Sequence, residues 1–257
     1  GVLDRFGQIE PKILFVADGY RYAGRDYDVL ERVAEIAEGL PSLRKIVVVP
    51  HLNARPDISD IPKAVLLDEW LRKHTPADIN YVQLPFEHPA YILFSSGTTG
   101  TPKCIVHGTG GALLQGLKTL KLQFDVRPGD RMFYFCTTNW VVWNMLFHAL
   151  AAEATVMMYD GSPFERNGKI LWDYAEKERI THFGTSAKYI DALEKRGMAP
   201  IEDYPLPDLR MILSTGSPLV PESYDYVYTR VKSDVCLSSI SGGTDIMAAF
   251  AEIGRAH

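Results

Sequence analysis

Residues 91–107 read "YILFSSGTTGTPKCIVH". An apolar run ends in Ser, Gly and Thr, and a lysine follows. Glycine lets backbone N–H groups approach an anion closely, and hydroxyls and a lysine add further donors. The stretch therefore reads as a strand feeding a polyphosphate cradle, with pyrophosphate oxygens as the best fit. It is not a P-loop, which needs its Lys directly after the second Gly of G-x-x-x-x-G. Here two residues separate Gly97 from Gly100, and Thr101 and Pro102 precede Lys103. The bland alternative is a plain flexible Ser/Gly loop.

On both sides of this stretch, short β-branched runs alternate with amphipathic ones. "KILFVAD" (12–18) predicts a strand, "RDYDVLERVAEIAEGL" (25–40) a helix, and "RKIVVVP" (44–50) a buried strand. In the helix, Val29, Leu30, Val33, Ile36 and Ala37 share one face. Asp26 or Asp28 can cap its start and Gly39 its end. A second helix is expected over 63–74, and the Pro-containing segment 75–90 reads as a linker between subregions 1–75 and 90–250. After the strand 91–95, a helix is expected over about 108–123. Strands at 131–138, 154–160, 181–186, 209–216 and 234–241 then alternate with helices at 140–152, 169–180, 187–197 and 221–232. This order predicts an α/β fold of layered, parallel-rich sheets flanked by helices.

Composition narrows the function classes. A chain of 257 residues with 46% hydrophobic content is long enough for a sizeable core. Net charge is −5, which offers no basic surface for nucleic acid. The apolar runs are too short or too polar to span a bilayer, so no membrane partner is expected. Cys104, Cys136 and Cys236 form no CxxC pair, which favours a reducing, cytoplasmic setting and speaks against a zinc site. Cys104 reads as a small buried hydrophobe, since no His–Asp pairing accompanies it. The seven His residues show no metal spacing. The chain opens at Gly1 in mid-pattern, without a leader signature, and reads as a piece of a longer protein.

Ligands of open α/β sheets bind in loops beyond the carboxyl ends of strands. Besides "SSGTTGTPK", two small-residue loops fall there: "STGSPL" (214–219) and "SISGGTDI" (239–246). The first could hold a flat heterocycle on exposed backbone groups, or simply connect a strand to a helix that starts at Pro221. The second places Thr244 beside Asp245, a pairing that suits a phosphate and its Mg²⁺. Taken alone, Asp245 reads better as a helix N-cap. Trp140 and Trp143 read as core unless their helix also walls a pocket.

The three loops, in this order, resemble signatures of the adenylate-forming superfamily, which spans acyl-CoA synthetases, luciferases and peptide-synthetase adenylation domains. "SSGTTGTPK" is similar to its phosphate-binding signature, and "SGGTDI" to a later motif that usually ends in Thr-Glu. Within the superfamily, "VLDRFGQIEPKILFVADGYRYAGR", "CTTNWVVWN" and "SISGGTDI" resemble the acetoacetyl-CoA synthetase family, from about Val2 to Phe250.

The resemblance implies roles by position. Ser95, Ser96, Gly97, Thr98, Thr99, Gly100 and Lys103 would wrap the ATP β- and γ-phosphates. Gly216, Ser217 and Pro218 would contact adenine. Ser239, Ile240, Ser241, Gly242, Gly243 and Thr244 would run along the nucleotide, with Thr244 at the α-phosphate and Asp245 on Mg²⁺; Lys103, Thr244 and Asp245 would be the catalytic set. Tyr22, Ala23, Gly24 and Arg25 would hold the nucleotide end of coenzyme A, and Trp140, Val141, Val142 and Gly242 would shape the acyl pocket. Gly242 stands where acetyl-activating relatives carry a pocket-closing Trp, which leaves room for a longer acid. Ser241 replaces an adenine-stacking aromatic residue, Cys104 replaces Gly, and "AEIGRAH" (251–257) departs from the family pattern.

The implied reaction is activation of acetoacetate to acetoacetyl-AMP, then transfer to coenzyme A, in ketone-body and lipid metabolism. A ribose-binding Asp, a hinge and a C-terminal domain with a catalytic Lys are expected beyond residue 257, so the chain alone is expected to turn over poorly. Activation of propionate or butyrate, or a non-catalytic nucleotide-binding module, are the competing readings.

Overall fold

The computed structural model describes residues 1–95 and 100–253. The expectations for Ser96, Gly97, Thr98, Thr99 and residues 254–257 lie outside the described residues. Two compact units emerge. One comprises Gly1–Leu84, Phe94–Cys104 and Asp160–Ser162; the other comprises Pro85–Leu93, Ile105–Tyr159 and Pro163–His257.

The first unit contains α1 (Val2–Phe6), β1 (Ile13–Ala17), β2 (Gly19–Tyr22), β3 (Arg25–Asp28), α2 (Leu30–Gly39), β4 (Lys45–Val49), β5 (Ala64–Leu66) and α3 (Leu67–Leu71). β1, β4 and β5 form a parallel sheet in that order, with Ile46, Val47 and Val48 fully buried in its central strand. The expected β–α–β unit is thus present, with two corrections.

The helix expected from residue 25 starts at Leu30. Residues 19–28 instead form an antiparallel hairpin. Ala23 and Gly24 hold φ of +50° and +75°, as a two-residue hairpin turn requires. Tyr20 stacks on Tyr27 with ring centroids 5.0 Å apart, and Arg21 pairs with Asp26. These cross-strand contacts outweigh a helical pattern that begins only at Val29. The N-cap position falls on Val29 rather than on Asp26 or Asp28, although Asp28, one residue before it, accepts from the Leu30 N–H at 2.8 Å. Gly39 is helical rather than a cap, and a Cβ there would meet Leu3 Cδ2 at 2.7 Å, so it serves close packing of α1 on α2. In the second correction, the expected helix 63–74 begins as β5, because pairing with β4 captures Ala64–Leu66 first.

Asp18 ties this unit together. Its buried carboxylate accepts from the backbone N–H groups of His51, Leu52 and Asn53 at 2.7–2.9 Å. Burial pushes its pKa up, but the three donors outweigh burial and hold it below the usual range. A depressed carboxylate stabilises the fold above the unfolded pKa of about 3.9 and loses that contribution as pH falls through the folded value. Asp18→Asn, which turns one acceptor into a donor, is expected to cost about 2 kcal/mol at pH 7. It should also flatten the acid slope below about pH 4. Hydrogen exchange of the β4 amides across pH checks both.

Farther along, β6 (Pro89–Ser95) and β7 (Lys103–Gly108) pair with each other. The quoted loop therefore joins two paired strands, and the expected helix follows only after β7, as α4 (Thr109–Lys118) and a π-helical turn over 119–123. Cys104 lies on β7 and is exposed, against the expectation of burial.

The second unit continues with β8 (Arg131–Tyr134), α5 (Val141–Phe147), β9 (Thr155–Met157), α6 (Ile170–Lys177), β10 (His182–Ser186), α7 (Ala187–Lys195), α8 (Pro200–Asp203), β11 (Met211–Thr215), α9 (Pro221–Tyr226), β12 (Cys236–Gly243) and β13 (Ala248–Ile253). They form one six-stranded sheet in the order β13-β12-β11-β10-β8-β9, parallel except for β13. Period-2 alternation separates its faces. Phe133, Phe183, Ile212 and Leu237 join one apolar cluster. Met132, Tyr134, Met211 and Leu213 join another, together with Val142 and Leu146 of α5. Trp172 of α6 stacks on Phe183 at 4.8 Å.

β12 runs to Gly243, so "SISGG" is strand and only 244–247 turns, correcting the loop expected over 239–246. Antiparallel pairing with β13 extends the strand, and Ala251–Ile253 take part in it.

Candidate functional site

The face carrying Met132, Tyr134 and Leu213 continues toward the carboxyl ends of the strands as Thr215 of β11 and then Ile240 and Gly242 of β12. There it borders a cavity of about 160 Å³. Its walls are mainly apolar and include Leu120, Trp140, Val142 and Met145, with Thr244 also lining it. No charged side chain is among the lining residues. Thr215 spends its hydroxyl on the Ile240 carbonyl at 2.9 Å, holding β11 to β12. Tyr134 lies over β10, where Gly184 makes room for it: a Cβ at 184 would fall 2.1 Å from Tyr134 Cδ2. The Trp140 ring meets that of Tyr134 edge-on at 6.5 Å.

A second, more open cavity of about 550 Å³ is lined by Gly216, Ser217, Pro218, Ser239, Ser241 and Tyr224, among others. Trp140, Thr215, Ile240 and Gly242 line both cavities. Gly216 holds φ of +92°, and the Trp140 indole stands over it, 3.7 Å from where a Cβ would be. The structure thus assembles the 216–218 and 239–242 segments around one opening, and Trp140, Val141, Val142 and Gly242 around the other. Trp140 is a pocket wall as well as core.

The turn after β12 is held from three sides. His107 of β7 donates its Nε2–H to the Thr244 carbonyl at 2.8 Å. The Met247 N–H reaches the same oxygen at 3.3 Å. Met247 itself is 2% exposed and holds φ of +48°, a conformation that its buried side chain enforces. Asp245 is exposed and makes no hydrogen bond or ion pair among the described residues. It precedes a strand rather than a helix, so the N-cap alternative falls away. No cluster of three or more His, Cys, Asp and Glu side chains occurs among the described residues.

In the first unit, Lys103 is exposed, and the neighbouring Pro102 carbonyl accepts from Gln8 Nε2 at 3.0 Å. Tyr22–Arg25 form the tip of the β2–β3 hairpin, and Arg25 is exposed without an ion pair among the described residues.

The AMP-binding enzyme family model matches residues 3–245. The chain belongs to the AMP-binding enzyme family. Similarity to individual members agrees. The chain is 46% identical over 255 residues to an acetoacetyl-CoA synthetase of Gallus gallus, and 49% identical over 251 residues to one of Rhizobium meliloti. Each alignment covers 97% of this chain and 38% of the relative, so the chain spans about two fifths of the length of these curated relatives. A solved acetoacetyl-CoA synthetase from Streptomyces lividans superposes with a TM-score of 0.91 at 39% identity, over 98% of this chain and 39% of that one. No helix among the described residues is long and apolar enough to cross a membrane.

Two features of this AMP-binding chain escaped sequence reasoning: the His107 tether on Thr244 and the hydroxyl of Tyr134 beside the smaller cavity. The first joins residues 137 positions apart and leaves no local signal. The second was hidden in a strand that reads as ordinary core.

Proposed function

We propose that this chain carries the acid- and nucleotide-binding surfaces of an ATP-dependent acid–thiol ligase that activates acetoacetate. The observation that carries the reading is the pair of cavities sharing one wall at the end of β12. The larger falls in the size range of ordinary ligand pockets, whereas the smaller lies below it and suits a short acid. Similarity to acetoacetyl-CoA synthetases supports the choice of acid, and the absent side chain at Gly242 is consistent with it.

In this reading Gly216–Pro218 hold adenine, and Ser239–Thr244 run along the nucleotide. Ser95–Gly100 and Lys103 take the β- and γ-phosphates. Tyr22–Arg25 bind the nucleotide end of coenzyme A through Arg25. The acid carboxylate attacks the α-phosphate, releasing pyrophosphate and giving acetoacetyl-AMP. The thiol of coenzyme A then displaces AMP. The protein's part is in-line positioning and charge stabilisation. An exposed carboxylate beside a Thr fits Mg²⁺, which keeps several waters and needs only one or two carboxylates plus substrate phosphates. Asp245 would hold the ion, which neutralises phosphate charge when bound. The three free thiols suit a reducing, cytoplasmic setting.

Propionate or butyrate is the second reading, favoured by the apolar lining of the smaller cavity. ATP–pyrophosphate exchange by the full-length protein, with acetate, propionate, butyrate and acetoacetate in turn, separates the two. Acetoacetate should give the highest kcat/KM, and exchange with none of them would refute the ligase reading. Lys103→Ala is expected to lower exchange about 100-fold with folding intact, since the side chain is exposed. Wild-type exchange by that variant would remove its phosphate role.

A further inference from the structure

Tyr134 lines the smaller cavity, and its hydroxyl has no task among the described residues. The Tyr134 hydroxyl is buried and has no hydrogen-bond partner among the described residues. Buried hydroxyls are nearly always paired, so an orphan calls for a ligand or a function. Of the other hydroxyl-bearing residues lining the cavity, Thr215 is committed to the Ile240 carbonyl, and Thr244 belongs to the turn beside Asp245. Burial raises the Tyr134 pKa well above the usual phenol value, so the group is a neutral O–H donor at any physiological pH. Apart from the indole N–H of Trp140, the remaining side chains of the wall, such as Leu120, Val142 and Met145, offer no donor.

We propose that the Tyr134 hydroxyl donates a hydrogen bond to the 3-oxo oxygen of the bound acid, and so selects 3-oxo acids over unsubstituted acids of equal length. The inference rests on reading the smaller cavity as the acyl site. A ketone oxygen only accepts, which complements a donor that has no acceptor among the described residues. Butyrate has the same carbon count but would leave the hydroxyl unpaired. A site built around such a bond discriminates against the analogue lacking it far more strongly than an apolar wall can.

Tyr134→Phe is the direct test, because Phe keeps the ring that lies over Gly184. On the full-length protein, the acetoacetate-to-butyrate ratio of kcat/KM is expected to fall about 10- to 100-fold. The thermal midpoint without acid should stay level or rise, since no internal partner is lost. With acetoacetate labelled at its ketone carbon, the carbonyl stretch should shift to lower frequency on binding wild-type protein but not the variant. An unchanged ratio, or a lower midpoint without acid, would overturn the assignment of Tyr134 alone. A wild-type protein that activates neither acid would overturn the acyl reading together with it.

Discussion

Gly242→Trp is expected to lower acetoacetate activation by about 100-fold or more, with a loss of stability. Gly242 lines both cavities, so any side chain there must enter one of them or displace the wall. The geometry is stricter than loss of volume alone. A Cβ at 242 would meet the Ala248 carbonyl oxygen at 2.2 Å and Ala249 Cα at 2.9 Å, both backbone atoms of β13. The strand pair already carries an irregularity between Ser241 and Gly242. Even Gly242→Ala should force β13 outward, at a cost of about 1–3 kcal/mol. Urea midpoints separate this backbone cost, common to Ala and Trp, from the volume effect, which only Trp adds. The volume effect should appear as an acetate-to-acetoacetate ratio that rises in the Trp variant and not in the Ala variant. A Trp variant with wild-type acetoacetate kinetics would show that the smaller cavity does not receive the acid.

Asp245→Asn is expected to reduce pyrophosphate exchange by about 10²- to 10³-fold without a change in stability. The contrast is the point. Asp245 is exposed and makes no bond among the described residues, so its removal should move the urea midpoint by no more than about 0.5 kcal/mol. The turn would keep its shape through His107 and Met247, which hold the Thr244 carbonyl. Repeating the exchange assay across Mg²⁺ concentrations adds a second readout, since the variant should need more metal for half-maximal rate. Equal Mg²⁺ dependence and equal rate in both proteins would take the metal away from Asp245.

Much of the α/β order was legible because buried parallel strands carry apolar runs, as in the "IVVV" of β4 and the "MIL" that opens β11. The segments lining the two cavities were legible for a different reason, since Gly216 and Gly242 mark places where a Cβ meets a neighbour or φ is positive. What was missed depends on partners distant in sequence or on exposed pairing. The hairpin 19–28 is mostly exposed, so no hydrophobic face announced it; its signal was the aromatic alternation around Ala23-Gly24. β5 borrows its strand state from β4, and the end of β12 from β13. Exposure of Cys104 follows from pairing in a two-stranded sheet, which local composition does not encode.

The shared wall between the cavities limits how the protein can be retuned. Ile240 and Gly242 face both openings from a single strand, so a change that reshapes one side moves the other. If each cavity holds its proposed ligand, their affinities are linked through that strand, and linkage makes the effect reciprocal. Substitutions on β12 should then combine non-additively with changes to either ligand. Leu120 and Met145 are among the residues that border only the smaller cavity, so under that proposal substitutions there would alter acid preference while nucleotide affinity stays independent.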